Sequence, residues 1–203
     1  MINNDKKALF ENQIIIVSGL PRSGTSMMMN ILNSGGVPAL IDNIRKSDKD
    51  NPKGYWEFES VKNLINGEYS WLDQSKGKCV KVISYLLTYL PENYSYKVIF
   101  LERDLSEILK SQQIMMTQNQ NMISNQDDEK ISTIFKKHLE SAKDFLQSNR
   151  QFETYYANYN KILDSPKKEI EKLNQFLNGR LDASKTMDVI DRTLYRNRLN
   201  EKS

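Results

Sequence analysis

The residues with the clearest chemical potential stand together near the start of the chain, in Gly19-Leu20-Pro21-Arg22-Ser23-Gly24-Thr25-Ser26. Two glycines five positions apart let a backbone approach an anion closely. The N–H groups of such a loop turn inward, and a helix beginning at its end adds positive potential. Arg22 supplies a charged planar fork suited to phosphate. Thr25 and Ser26 add hydroxyl donors. Pro21, Arg22, Ser23, Gly24, Thr25 and Ser26 are therefore candidate phosphate-binding residues. The loop works only between a strand and a helix. Gln13–Ser18 (QIIIVS) is the β-branched apolar run of a buried parallel strand. A helix begins near Gly24 with Met27, Met28, Ile31 and Leu32 on one face, and Gly35-Gly36 ends it.

The spacing GxxxxG is that of a Walker A loop, but Thr25 stands where that loop has its lysine, and the cation is Arg22. A nucleotide handled differently from ATP is the expected ligand. Pro21–Ser26 (PRSGTS) resembles the 5′-phosphosulfate loop of the sulfotransferase superfamily, which uses 3′-phosphoadenosine-5′-phosphosulfate (PAPS). The loop is similar to those of small bacterial members and of the tyrosylprotein and carbohydrate branches. The cytosolic branch has lysine at the Arg22 position. A second motif of the superfamily is an arginine after a strand with a serine eight residues later, both reading the 3′-phosphate. Here the strand KVIFL leads to Arg103, and Ser111 follows at that spacing. Tyr159-Asn160-Lys161-Ile162-Leu163 with Pro166 is similar to a segment whose tyrosine approaches adenine, although Asn160 and Lys161 replace its two acids. A tyrosine packed at a strand end is the other reading of Tyr159. Leu194–Arg198, with Arg196, matches a basic segment that closes over the 3′-phosphate in cytosolic relatives, or else is a solvated tail. The resemblance covers about Gln13 to Arg198.

What the resemblance implies is in-line transfer of a sulfuryl group from PAPS to an acceptor, releasing adenosine 3′,5′-bisphosphate (PAP). Such chemistry rests on positioning and on charge at the leaving phosphate. Arg22 and the amides of Gly24, Thr25 and Ser26 take that role, and the logic requires no metal. The acceptor must also lose a proton. Cytosolic relatives use a histidine in a strand segment like K-T-H; the matching stretch is Lys81-Val82-Ile83, which keeps Lys81 and lacks the histidine. The sole histidine, His138, sits at a core-facing or boundary position of an amphipathic helix and reads as a packed or partly exposed side chain. A carboxylate base is therefore expected, with Asp42 and Glu57 the candidates. Asp42 falls near the catalytic glutamate of the other branches, and Glu57 lies among Tyr55, Trp56 and Phe58, whose rings would desolvate it. The bland readings are a turn cap for Asp42 and a solvated Glu57. The three aromatics either line an acceptor pocket or anchor a loop. Trp71 is expected in the core.

The surrounding elements alternate. Cys79–Ser84 and Lys97–Leu101 read as strands, and Phe152–Ala157 as a last one. Asp104 is a candidate cap for a helix running toward Met116. Residues 131–146 keep a helical period, and Pro166 opens a helix that stops at Asn178-Gly179. Strand and helix in alternation imply an α/β fold, a P-loop-type parallel sheet with helices on both faces. The polar stretches Asp42–Gly54 and Thr117–Lys130 read as surface segments.

With 203 residues the chain is expected to form one domain over 1–203. Its 29 basic and 26 acidic residues leave a net charge of +3, too balanced for a nucleic-acid footprint. One cysteine excludes a disulfide framework and a cysteine-built zinc site. No apolar run nears the ~18 residues of a membrane span. The polar segment MINNDKKALFENQ carries no signal-type apolar stretch, so a cytoplasmic location is expected. The expected partner is a small-molecule, glycan or peptide acceptor; oligomeric state is not legible. Two other readings stand beside the enzyme. One is a nucleotide kinase or ATPase with a variant loop, which needs a Mg²⁺-holding acid such as Glu102 or Asp104. The other is an inactive nucleotide-binding protein.

Overall fold

The structure is a computed structural model that describes residues 12–47, 54–118 and 128–190. Every residue of β1 (Ile14–Gly19) is buried, as the unbroken apolar run requires of a strand covered on both faces. It pairs in parallel with β2 (Cys79–Lys81) on one side and with β3 (Tyr96–Glu102) on the other, and β3 pairs in parallel with β4 (Phe152–Asn158). The sheet order is β2-β1-β3-β4. Register places Ile16 beside Val80 and Val98, and Val98 beside Thr154.

Side chains alternate across a strand, so one sheet feeds two cores. Ile14, Ile16, Val80, Val98 and Phe100 face Ala142 and Leu146 of a long helix, α4 (Asp128–Ser148), as well as Leu64, Trp71 and Leu87. Ile15, Val17, Ile99 and Leu101 face Met28, Ile31 and Leu32 of α1 (Thr25–Ser34) and Ile170 and Leu173 of α6 (Pro166–Phe176). The expected parallel sheet between two helical layers is thus present. In α1 the deeply buried methionines are Met28 and Met29, with Met27 only partly covered.

One expectation needs correction. The strand expected over Cys79–Ser84 ends at Lys81, because Lys81 already lies beside Val17 and β1 turns away two residues later. A 3₁₀ helix, Ser84–Tyr89, follows instead. The apolar segment Val37–Ile41 contributes only an isolated bridge from Ala39 to Cys79. Shorter elements complete the order: a 3₁₀ helix at Glu59–Asn66, α2 (Leu72–Ser75), α3 (Leu105–Gln118), α5 (Tyr159–Asp164) and α7 (Ala183–Met187). Both polar stretches read as surface segments run partly outside the described residues. No described helix is long and apolar enough to cross a membrane.

This strand order has a consequence for ligand placement. From β1 the chain reaches β2 on one side and β3 on the other, so the crevice beyond their carboxyl ends is a topological switch point, where α/β sheets bind ligands. The Gly19–Ser26 loop leaves β1 there, and Arg103 follows β3 at the same edge.

Candidate functional site

The loop's shape demands its glycines. Gly19 has φ +143°, and a Cβ on it would stand 2.6 Å from Ser23 Oγ and 2.9 Å from the Leu101 carbonyl. Gly24 has φ +103°, and a Cβ there would meet the Tyr159 ring at 2.3 Å. Between them Arg22 takes φ +71°, a left-handed backbone that an L side chain rarely adopts. Such strain costs about 1–3 kcal/mol and collects where it serves a site. Gly24 offers no capping side chain, so α1 starts with N–H groups that its own turns leave unmatched. Ser18 and Ser23 bury their hydroxyls beneath the loop with no partner among the described residues.

Arg22, Ser111 and Arg103 meet in one network. Arg22 Nε donates to Ser111 Oγ at 2.9 Å. Arg103 donates from one terminal nitrogen to the Arg22 carbonyl at 3.0 Å. Its Nε donates to Glu107 Oε2 at 2.9 Å, and its guanidinium lies 4.5 Å above the Tyr159 ring. Asn160 donates to the other Glu107 oxygen at 3.2 Å. The Arg103–Glu107 pair is almost wholly buried, and removing one member of such a pair is far costlier than the pair is worth. Arg103 and Ser111 thus both bond to Arg22, the first at its carbonyl and the second at its guanidinium. What the sequence spacing missed is Glu107, one helical turn beyond Arg103 and placed to fix the Arg103 guanidinium. Asp104 accepts from Ser106 N at 2.8 Å near the start of α3, the capping role expected of it. Tyr159 packs under the loop against Gly24 and is 6% exposed, which is the packing reading of that residue.

A second network lies on the β2 side. Lys81, at the end of β2, donates to the Tyr55 carbonyl and reaches Ser26 Oγ at 3.3 Å. Ser26 donates to the same carbonyl at 3.2 Å. Glu57 Oε1 lies 3.5 Å from the lysine and 3.2 Å from Arg45, whose guanidinium covers the Tyr55 ring at 3.4 Å. Burial pushes the Lys81 ammonium down to about 8, against the pull of Glu57. Tyr55 is buried, so among the aromatics it anchors this segment onto the loop and Lys81. Arg45 and the Tyr55 carbonyl went unread in the sequence, since nothing in the spacing indicates a contact across ten to thirty residues.

Asp42 accepts from Ile44 N at 3.0 Å through one oxygen and from Glu59 N through the other. It thus closes a turn and caps the 3₁₀ helix at Glu59–Asn66, matching its bland reading. Pro21 is exposed at the loop's tip, and Thr25 is buried at the start of α1. Arg196 and the rest of Leu194–Arg198 lie outside the described residues. Among the described residues no group of three or more His, Cys, Asp or Glu side chains is arranged to hold a metal ion.

The arrangement gathers cations, hydroxyls and an open helix start at one crevice, which suits a ligand with two separated anionic groups. No curated protein matches the chain. A family model described as a sulfotransferase domain matches residues 12–202.

Proposed function

Because the chain belongs to the sulfotransferase domain family, whose reaction is sulfuryl transfer, we propose that it moves a sulfuryl group from PAPS to a hydroxyl or amine of an acceptor. The observation that carries this reading is the joining of Arg22, Ser111 and Arg103 at the switch-point crevice. When bound, PAPS supplies the sulfuryl group on a phosphate leaving group. The residues fit such a ligand. The loop leaves two buried hydroxyls, Ser18 and Ser23, unmatched and the start of α1 uncapped, while three cations converge on the same edge.

Arg22 and the amides of Gly24, Thr25 and Ser26 hold the 5′-phosphate end and meet the charge that grows on it. Arg103 and Ser111 read the 3′-phosphate, with Glu107 and Asn160 fixing the arginine's plane. Lys81, between Ser26 and Glu57, supports the transferring group. Of the two carboxylates read as bases, Asp42 is engaged by backbone N–H groups. Glu57 reaches the site and sits between two cations, Arg45 and Lys81. The acceptor is a small molecule or a protruding hydroxyl of a glycan or peptide, and a cytoplasmic setting remains part of this reading.

The kinase or ATPase alternative needs Glu102 or Asp104 for Mg²⁺. Glu102 pairs with Lys143 at 2.5 Å and Asp104 caps α3, so both are otherwise engaged. Calorimetric titration with PAP, ADP and ATP, with and without Mg²⁺, tests the proposal. Expected is metal-independent preference for PAP, weakened at least tenfold by Arg103→Ala, as loss of a charge-assisted bond worth about 1.5–3 kcal/mol requires. Preference for ATP with Mg²⁺ would overturn it. PAP binding without transfer to any acceptor would favour the inactive nucleotide-binding reading.

A further inference from the structure

His138 is the chain's single histidine, and the structure gives it more than a packing role. Its Nε2 lies 2.8 Å from Ser84 Oγ. Its ring stacks on Tyr85 with centroids 3.7 Å apart and 13° between planes. Ser84 is buried while Tyr85 is 41% exposed, so the pair stands where protein meets solvent. Nδ1 of His138 has no partner among the described residues.

Its height above the sheet follows from the helix that carries it. Lys143, on the same helix, pairs with Glu102, the last residue of β3. From there α4 runs on past Leu146 to the turn that starts β4, at the opposite end of the sheet. His138 lies five residues the other way, about 7.5 Å beyond that level at 1.5 Å per residue. Ser84 lies three residues past Lys81, within about 10 Å of it by chain reach. The histidine–serine pair therefore overlooks the same carboxyl edge that carries the Gly19–Ser26 loop, Lys81 and Arg103.

Resting on the sulfotransferase reading above, we propose that His138 is the proton acceptor for the sulfuryl acceptor, and that Ser84 is a positioning residue. Ser84 accepts the Nε2–H bond and so leaves Nδ1 as the basic nitrogen. The acceptor's O–H proton passes to Nδ1 while its oxygen bonds to sulfur. The bond from sulfur to the bridging oxygen of the donor breaks, and its electron pair stays on the phosphate of PAP. The imidazolium then returns its proton to water. Burial keeps the ring's pKa below the ordinary histidine value, so it is neutral and ready near pH 7. Burial is the cause of that lowering, and no charged group among the described residues adds to it. Tyr85 faces it from the 3₁₀ helix, and its own helix presents Ile134, Phe135, Ser141 and Ala142 one turn away. Helix α3, packed on α4, carries Glu107, engaged by Arg103, and Lys110. Glu57, the rival, lies between Lys81 and Arg45.

Because the histidine is single, nitrogen-detected NMR of the ¹⁵N-labelled full chain reads it without assignment. Expected at pH 7.5 is a neutral ring in the Nε2–H tautomer, with the preference lost in Ser84→Ala. PAP release from PAPS is then followed with 2-naphthol and with a tyrosine-containing peptide as probe acceptors. Expected is a fall in kcat of at least a hundredfold in His138→Gln, the scale of general-base catalysis, with PAP affinity within twofold of wild type. The acid limb of the pH profile should also disappear in that variant, and Glu57→Gln should keep it. An Nδ1–H tautomer overturns the proposal even if neither probe is sulfated, as does wild-type turnover by His138→Gln. Failure of the wild-type chain to bind PAP instead overturns the sulfotransferase reading itself.

Discussion

At Lys81 the physics of burial can be interrogated by pH. Its ammonium is held down to about 8 by burial, with Glu57 opposing the shift and Arg45 adding to it. A bound anion beside it favours the protonated form, so PAP binding above pH 8 must take up a proton. Affinity should therefore be flat below about 8 and fall as pH rises beyond it, by up to about tenfold per unit. The phosphate's own second ionisation, at about 6, is complete well below this range. Calorimetry at pH 7, 8 and 9 reads this directly, and Lys81→Met should be weaker throughout and lose the slope. A wild-type affinity that does not change between pH 7 and 9 would remove Lys81 from the ligand's surroundings. This residue was legible in the sequence by resemblance, but its altered acidity was not, since that depends on Tyr55, Glu57 and Arg45 arriving from a distant segment.

At the scale of elements, the strand–loop–helix unit depends on Gly24 for two reasons that can be separated. Its backbone has φ +103°, and Tyr159 from α5 fills the space a Cβ would need. Gly36 shares the positive φ, at +93°, but has nothing within 4 Å. Gly24→Ala should therefore add a steric displacement of the loop to the backbone strain. Strain alone is about 1–3 kcal/mol, a loss of several degrees in Tm for a domain of this size. Gly36→Ala should show a loss of that kind with PAP affinity unchanged, whereas Gly24→Ala should also lose PAP binding by calorimetry. Equal PAP affinity in the two variants would mean the Tyr159 contact does not shape the loop. The glycine pair was readable from spacing, because glycine tolerates the required backbone. The ring behind it was not, because Tyr159 is more than a hundred residues away and only the docking of α5 brings it there.

For the molecule as a whole, a ligand held between β1 and β3 binds the folded chain and not the unfolded one. Mass action then raises stability by about 2.7 kcal/mol when PAP is at a hundred times its Kd. In a domain of this size that corresponds to a Tm increase of roughly 5–11 °C. The increase should persist in EDTA, and a thermal melt with PAP, ADP or ATP measures it. A shift that requires Mg²⁺ and ATP would return the chain to the kinase reading. The sequence by itself determined the alternation of strand and helix, the phosphate-type loop and the arginine–serine spacing, because these depend on residues near one another in the chain. Backbone freedom at Gly19 and Gly24, β-branched burial in β1 and the helical period all act locally. Tertiary structure alone decided which cations face which carboxylates, since burial and Coulomb interaction depend on distance in space. It tied Asp42 to backbone N–H groups, set Glu57 between two cations and brought His138 onto Ser84. The helix period had marked that histidine only as core-facing or boundary. The identity of the element it packs against, and hence the chemistry open to it, came from the way α4 crosses the sheet.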